Sequence, residues 1–127
     1  MSMNVVDSSF WIEYFANTEA GATVSGIAEN INELVVPTIT VYEVFKKLLF
    51  EEGEYSAKYA ITRMKQGNVI HLDCMLSKSA AEKSIDHKLS MADSIIYATT
   101  LEYNCVLWTQ DKHFAGLPSV NYIEKKK

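Results

Sequence analysis

The sequence predicts an α/β domain of three layers, α/β/α, around a mainly parallel sheet of four to five strands. Short β-branched or apolar runs at Asn4–Val6, Leu34–Pro37 and Cys105–Trp108 alternate with stretches of helical periodicity. Those stretches are long enough to form the crossovers that parallel neighbours require. A chain of 127 residues, 48% hydrophobic and 22% charged, has the size and mix of one domain, residues 1–127, with a single real core.

Each element has its own signal. Asn4–Val6 is a short strand, and Asp7, Ser8 and Ser9 supply N-cap chemistry before the helical FWIEYF. The polar stretch that follows reads as helical to about Asn32, and Leu34–Pro37 as a second buried strand ended by its proline. From Val41 the residues Val41, Val44, Phe45, Leu48 and Leu49 form the apolar stripe of an amphipathic helix, with Glu43 off the stripe. Gly53 breaks this helix, and Ala57, Ala60, Ile61 and Met64 repeat the spacing until Gly67, giving a helical hairpin.

Val69–Leu72 is a third candidate strand. Ser77–Leu89 reads as a polar helix with Ala80, Ala81 and Ile85 inward, and Met91–Tyr103 as a buried helix, apolar almost all round. Cys105–Trp108 forms a further strand, and Val120–Ile123 an edge strand before the lysine tail.

The net charge of −4 and pI near 5.3 lack the basic excess of a passive nucleic-acid binder, so a polyanionic partner must be held locally. Cys74 and Cys105 show no metal-ligand spacing and read as buried, reduced thiols in strand surroundings. No apolar run approaches the ~20 residues that span a bilayer, and the N-terminus lacks signal-peptide character, so the cytoplasm is the expected location.

Four acids, Asp7, Glu43, Asp93 and Asp111, stand at element boundaries. Each has a structural explanation. Asp7 suits an N-cap, Thr40–Glu43 and Ser90–Asp93 both fit the capping box, and Asp111 suits a turn. A cap works anywhere on a surface, however, whereas an open α/β sheet carries strand ends from distant parts of the chain to one rim. Gathered there, the carboxylates raise one another's pKa unless a divalent cation offsets the repulsion. Oxygen-only ligands favour Mg²⁺, with Mn²⁺ as the alternative, over Zn²⁺. Such an ion suits phosphodiester hydrolysis by an activated water.

The segments DSSFWIEYF, ITVYE, MADSIIYATTLE and WTQDKHF, in this order and spacing, resemble the PIN-domain ribonucleases, VapC-type toxins in particular. The resemblance covers nearly the whole chain, and its last two motifs are the more specific. It implies that Asp7, Glu43, Asp93 and Asp111 are the acidic quartet. Asp7 and Asp93 become the principal metal ligands, and Glu43 and Asp111 complete the cluster directly or through water. By the same resemblance Ser8 and Thr109 orient carboxylates, the substrate is RNA, the chain is a homodimer, and a separate antitoxin neutralises it. Ser90 stands where many members have proline, and Gln110 where a basic residue is common.

A non-catalytic PIN-like binding module and a phospho-acceptor signalling domain are the competing readings. The second wants paired acids after the first strand, an acceptor aspartate after a middle strand and a closing lysine. Here serines follow Asp7 and threonine follows Pro37. A phosphatase of the haloacid-dehalogenase type needs an aspartate where Ser9 stands. Of the histidines, His113 alone is near enough in sequence to approach the acids. Lys46, Lys47, Lys58, Arg63 and Lys65 form a basic set on the hairpin, read equally as a phosphate guide or a solvated face. Lys125–Lys127 read as a disordered basic tail with RNA contact as the alternative. Trp11, Tyr14 and Phe15 read as core, or as a groove for a partner helix.

Overall fold

The structure is a computed structural model that describes residues 3–126. Met1, Ser2 and the last tail lysine, Lys127, lie outside the described residues. The strands are β1 (Met3–Val6), β2 (Leu34–Pro37), β3 (Asn68–Ile70), β4 (Cys105–Thr109) and β5 (Val120–Tyr122). They form one sheet in the order β3-β2-β1-β4-β5, with every neighbouring pair parallel. The helices are α1 (Ser8–Phe15), α2 (Glu19–Glu29), α3 (Thr38–Glu51), α4 (Glu54–Met64), α5 (Cys74–His87) and α6 (Met91–Glu102). Strand order departs in both directions from β1, so β1 and β4 form the switch point.

Successive strand residues serve opposite faces. Val6, Leu34 and Val36 pack with Phe10, Trp11, Val24, Val44, Leu48 and Met64 on the side of α1 to α4. Val5, Val35 and Leu107 pack with Ile96, Tyr97 and Phe114 on the side of α6. Burial on both faces explains why these strands read as unbroken apolar runs rather than as alternation. Full burial of each large side chain contributes roughly 1.5–3 kcal/mol relative to exposure. Among the described residues, no buried side-chain polar atom lacks a hydrogen-bond partner. Inside α6, where seven consecutive residues are buried, Thr99 and Thr100 donate to the carbonyls of Ile95 and Ile96 at 2.8 and 2.9 Å.

Several sequence expectations are corrected. The helix expected to continue to Asn32 is broken: Asn17 adopts φ 61°, and Thr18 caps α2 by accepting the Gly21 N–H at 3.0 Å. Gly21 permits the turn-back, because a Cβ there would lie 2.3 Å from the Glu13 carbonyl oxygen. The strand expected at Val69–Leu72 is Asn68–Ile70, and Leu72 is exposed. Helix α5 starts at Cys74, not Ser77, because Asp73 caps it by accepting the Leu76 N–H at 2.9 Å. That start puts Leu76 and Ala80 inward, whereas Ala81 is exposed and Ile85 is 81% exposed. Cys74 is exposed on a helix rather than buried in a strand, whereas Cys105 is buried and its thiol is pushed up to about 11. Leu49 at the end of the α3 stripe is exposed.

Candidate metal centre at the sheet switch point

The carboxyl ends of β1 and β4 position the first and last acids. Asp7 follows Val6 directly, and Asp111 lies two residues beyond Thr109. Glu43 comes from the second turn of α3, which leaves β2 at Pro37, and Asp93 from the first turn of α6. All four line one open cleft of about 310 Å³, together with Ser8, Ser9, Gln110 and Lys125. The structure therefore brings every acid of the sequence-derived quartet to one place.

Asp7 lies deepest and is buried, while Glu43, Asp93 and Asp111 are partly buried. Its two oxygens are held separately: Oδ1 accepts the Ser8 N–H at 2.8 Å, and Oδ2 accepts the Thr109 hydroxyl at 2.7 Å. Thr109 in turn accepts the Asp111 N–H at 2.9 Å, so one buried hydroxyl links the loop of Asp111 to the carboxylate of Asp7. Ser8 donates its own hydroxyl to Glu43 Oε1 at 2.6 Å. Ser8 and Thr109 thus orient two of the four carboxylates.

The expectation that Glu43 closes a capping box with Thr40 is corrected. Helix α3 begins at Thr38, so Thr40 already lies within its first turn, and its hydroxyl donates to the Pro37 carbonyl at 2.7 Å. Glu43 bonds across the cleft to Ser8. Asp93 does sit in a cap, for Ser90 accepts its N–H at 3.3 Å. Asp111 accepts the backbone N–H of His113 at 2.9 Å, the turn role expected of it. The His113 ring approaches the acids as well, with Nδ1 2.9 Å from Asp111 Oδ1.

The electrostatics are those of uncompensated charge. Burial, opposed by the Thr109 and Ser8 hydrogen bonds and reinforced by Asp93 and Glu43, raises the Asp7 carboxyl to about 7. Asp93 is raised too, by burial first and then by the charges of Asp111 and Glu43. Among the described residues, no ion pair involves Asp7, Glu43 or Asp93. Ligand atoms of Asp93, Asp111 and His113 lie within 4.8 Å of one another, close enough to share an ion. The donor set, mostly carboxylate oxygen at the mouth of a polar cleft, fits a hard divalent cation.

Lys125 and Gln110 complete the lining. Nothing local in the sequence distinguishes Lys125 from its neighbours in the terminal run, because its position depends on where β5 ends. None of the basic hairpin residues lines the acid cleft, though Lys47 lines an adjoining groove with Ser8, Ile12 and Glu43. Trp11 is core, while Tyr14 and Phe15 are partly buried beside it.

A parallel sheet whose switch point gathers four carboxylates around one cleft defines an α/β domain able to hold a divalent ion. Residues 5–119 match the family model of the PIN domain, and the chain belongs to that family. The fold is that of solved toxin structures. A toxin-antitoxin complex from Klebsiella pneumoniae superposes with a TM-score of 0.81 at 21% identity, covering 96% of this chain and 99% of that one. A VapC toxin of Mycobacterium tuberculosis that cleaves the sarcin-ricin loop gives 0.76 at 19% identity, covering 98% and 99%. The VapBC2 complex of Rickettsia felis, bound to a promoter DNA fragment, gives 0.73 at 10% identity, covering 96% and 98%. No curated protein sequence matches the chain.

Proposed function

We propose that the chain is a metal-dependent endoribonuclease, the toxin of a toxin-antitoxin pair, acting as a single nuclease unit over residues 1–127. The observation that carries this reading is the lining of one cleft by Asp7, Glu43, Asp93 and Asp111, with Asp7 buried among like charges. Such crowding destabilises the protein unless a cation joins it. Family membership and the fold shared with a sarcin-ricin loop cleaving toxin support RNA as the substrate.

Asp7 and Asp93 hold the ion, Mg²⁺ or Mn²⁺, and Glu43 and Asp111 complete its surroundings. The bound ion supplies positive charge that acidifies water and polarises the phosphodiester. Thr109 and Ser8 fix the Asp7 carboxylate, leaving little reorganisation for the reaction. Glu43 keeps one oxygen on Ser8 and offers the other to the attacking water. Water gives a proton to Glu43 as it adds at phosphorus, the P–O bond to the leaving ribose oxygen breaks, and that oxygen takes up a proton from solvent water.

A homodimer neutralised by a cognate antitoxin in the cytoplasm completes the proposal. A solved toxin-antitoxin complex of the same fold supports the antitoxin. Among the described residues, no helix is long and apolar enough to cross a membrane.

The test is cleavage of RNA by purified wild type and Asp7→Asn with Mg²⁺, Mn²⁺ or EDTA. Wild type is expected to cut only with a divalent ion, and Asp7→Asn not to cut. Asparagine still caps a helix, so retained cleavage by the variant refutes the assignment.

A further inference from the structure

A cleft lined by four acids repels the phosphates it is proposed to cut, in a chain whose net charge is already −4. The divalent ion proposed above offsets that charge only at the acids, so a cation at the rim would serve the neighbouring phosphates of the substrate. Among the described residues lining the acid cleft, Lys125 is the only lysine or arginine. It also lines both adjoining grooves, one with Ser8, Ile12 and Lys47, the other with Phe10, Thr18 and Glu19. These three depressions meet at Gln110 and Lys125.

The tail is fastened just before this residue and makes an exposed contact with α2 just after it. Ile123 donates its N–H to the Thr109 carbonyl at 2.9 Å and packs its side chain against the core on the α1 side. Lys126 pairs with Glu19 on α2 at 2.9 Å. Lys125, between these contacts, forms no ion pair among the described residues. The hairpin cations differ in position: Lys58 pairs with Glu54, Lys46 lies over the Tyr42 ring, and neither lines the acid cleft. Lys47 lines the adjoining groove and pairs with Glu51 at 2.8 Å.

We propose that Lys125 binds a backbone phosphate of the RNA and positions the chain across the acids. This rests on the nuclease reading above. The contact is to phosphate, so it fixes register and carries no base preference. Gln110, beside it in all three depressions, offers an amide donor but no charge.

The experiment compares wild type, Lys125→Ala and Lys125→Arg in steady-state RNA cleavage with Mn²⁺. It also measures RNA affinity against salt in the Asp7→Asn background. Lys125→Ala is expected to raise KM about tenfold, with kcat within about twofold, the loss of one charge-assisted phosphate contact. Lys125→Arg is expected to keep KM near wild type. Removing Lys125 should also lower the slope of log affinity against log salt by roughly 0.7. An unchanged KM and slope in Lys125→Ala, with wild type active, overturns the proposal alone. Equal damage by Lys125→Arg assigns the residue a structural role and overturns it too. If wild type cleaves no RNA with any divalent ion, the nuclease reading fails and this one falls with it.

Discussion

Thr109 donates its hydroxyl to Asp7 Oδ2 at 2.7 Å and accepts the Asp111 N–H at 2.9 Å, joining the ends of β4 and β1 through one buried oxygen. This bond lowers the Asp7 carboxyl against the stronger upward pull of burial. Thr109→Val keeps the side-chain shape and removes both bonds. It is expected to raise the Asp7 pKa further and cut metal-dependent RNA cleavage about 10- to 100-fold. Leaving the Asp111 N–H unpaired also costs about 1–3 kcal/mol of stability. Thr109→Ser restores the hydroxyl and should recover most of both. Parallel melting curves and cleavage rates for the two variants check this, and wild-type rates in Thr109→Val would show that the bond has no part in positioning Asp7.

The raised carboxyl of Asp7 makes stability depend on pH in a direction opposite to that of a salt-bridged aspartate. Its folded value is about 7 against a reference of 3.8, so between those values the folded state binds the extra proton. Stability from this group is fully present below about 3.8 and falls as pH rises toward about 7. Metal-free protein is therefore expected to be less stable in urea at pH 8 than at pH 5, by an amount on the order of a few kcal/mol. Asp7→Asn should flatten that difference, and Mn²⁺ should restore stability at pH 8, where Asp7 is already largely ionised and metal binding displaces little proton. Equal pH profiles for wild type and Asp7→Asn would contradict the burial of an uncompensated charge at this position.

Glu43 shows how far the sequence is legible. Its membership of the acid set could be read from the motif ITVYE in its order among the others, but its local role could not. The Thr40–Glu43 spacing mimics a capping box, whereas the chain enters α3 directly from Pro37, so the box has no cap to serve. Glu43 instead accepts from Ser8, 35 positions away, a relation fixed only by the packing of α1 on α3. Glu43→Gln keeps an acceptor for Ser8 and leaves the helix intact. It should change the melting temperature little while lowering cleavage at least tenfold, the effect of losing one negative charge near the ion. A marked loss of stability in this variant would return Glu43 to a structural role.

The same distinction runs through the fold. Buried strands such as Leu34–Pro37 are apolar on both faces and announce themselves in any window. The α1–α2 corner does not, because a left-handed Asn17 and the close approach at Gly21 depend on tertiary packing. Ile85 misleads for a related reason. The Asp73 cap brings Leu76 into α5, and packing of Leu76 and Ala80 against Ile95 and Ala98 of α6 sets the buried face instead. Lys125 gives no local signal at all. Its place at the cleft follows from the register of β5 beside β4.

Asp93 joins a cap to the lining of the acid cleft, and the two can be separated. Ser90 accepts the Asp93 N–H at 3.3 Å, while the carboxylate lines the acid cleft. Ser90→Ala removes the cap and should cost roughly 0.5–2 kcal/mol of stability. It leaves the charge in place, so cleavage should fall by less than about tenfold. Asp93→Asn keeps the cap bond, which uses the backbone N–H, and removes a charge whose pKa is raised by burial, Asp111 and Glu43. Metal-free stability at neutral pH is expected to hold or rise, because repulsion among the acids is relieved. Metal-dependent cleavage should be lost. Denaturant melts in EDTA and cleavage assays in Mn²⁺ read the two effects independently, and an Asp93→Asn variant that is less stable yet fully active would make this residue a cap alone.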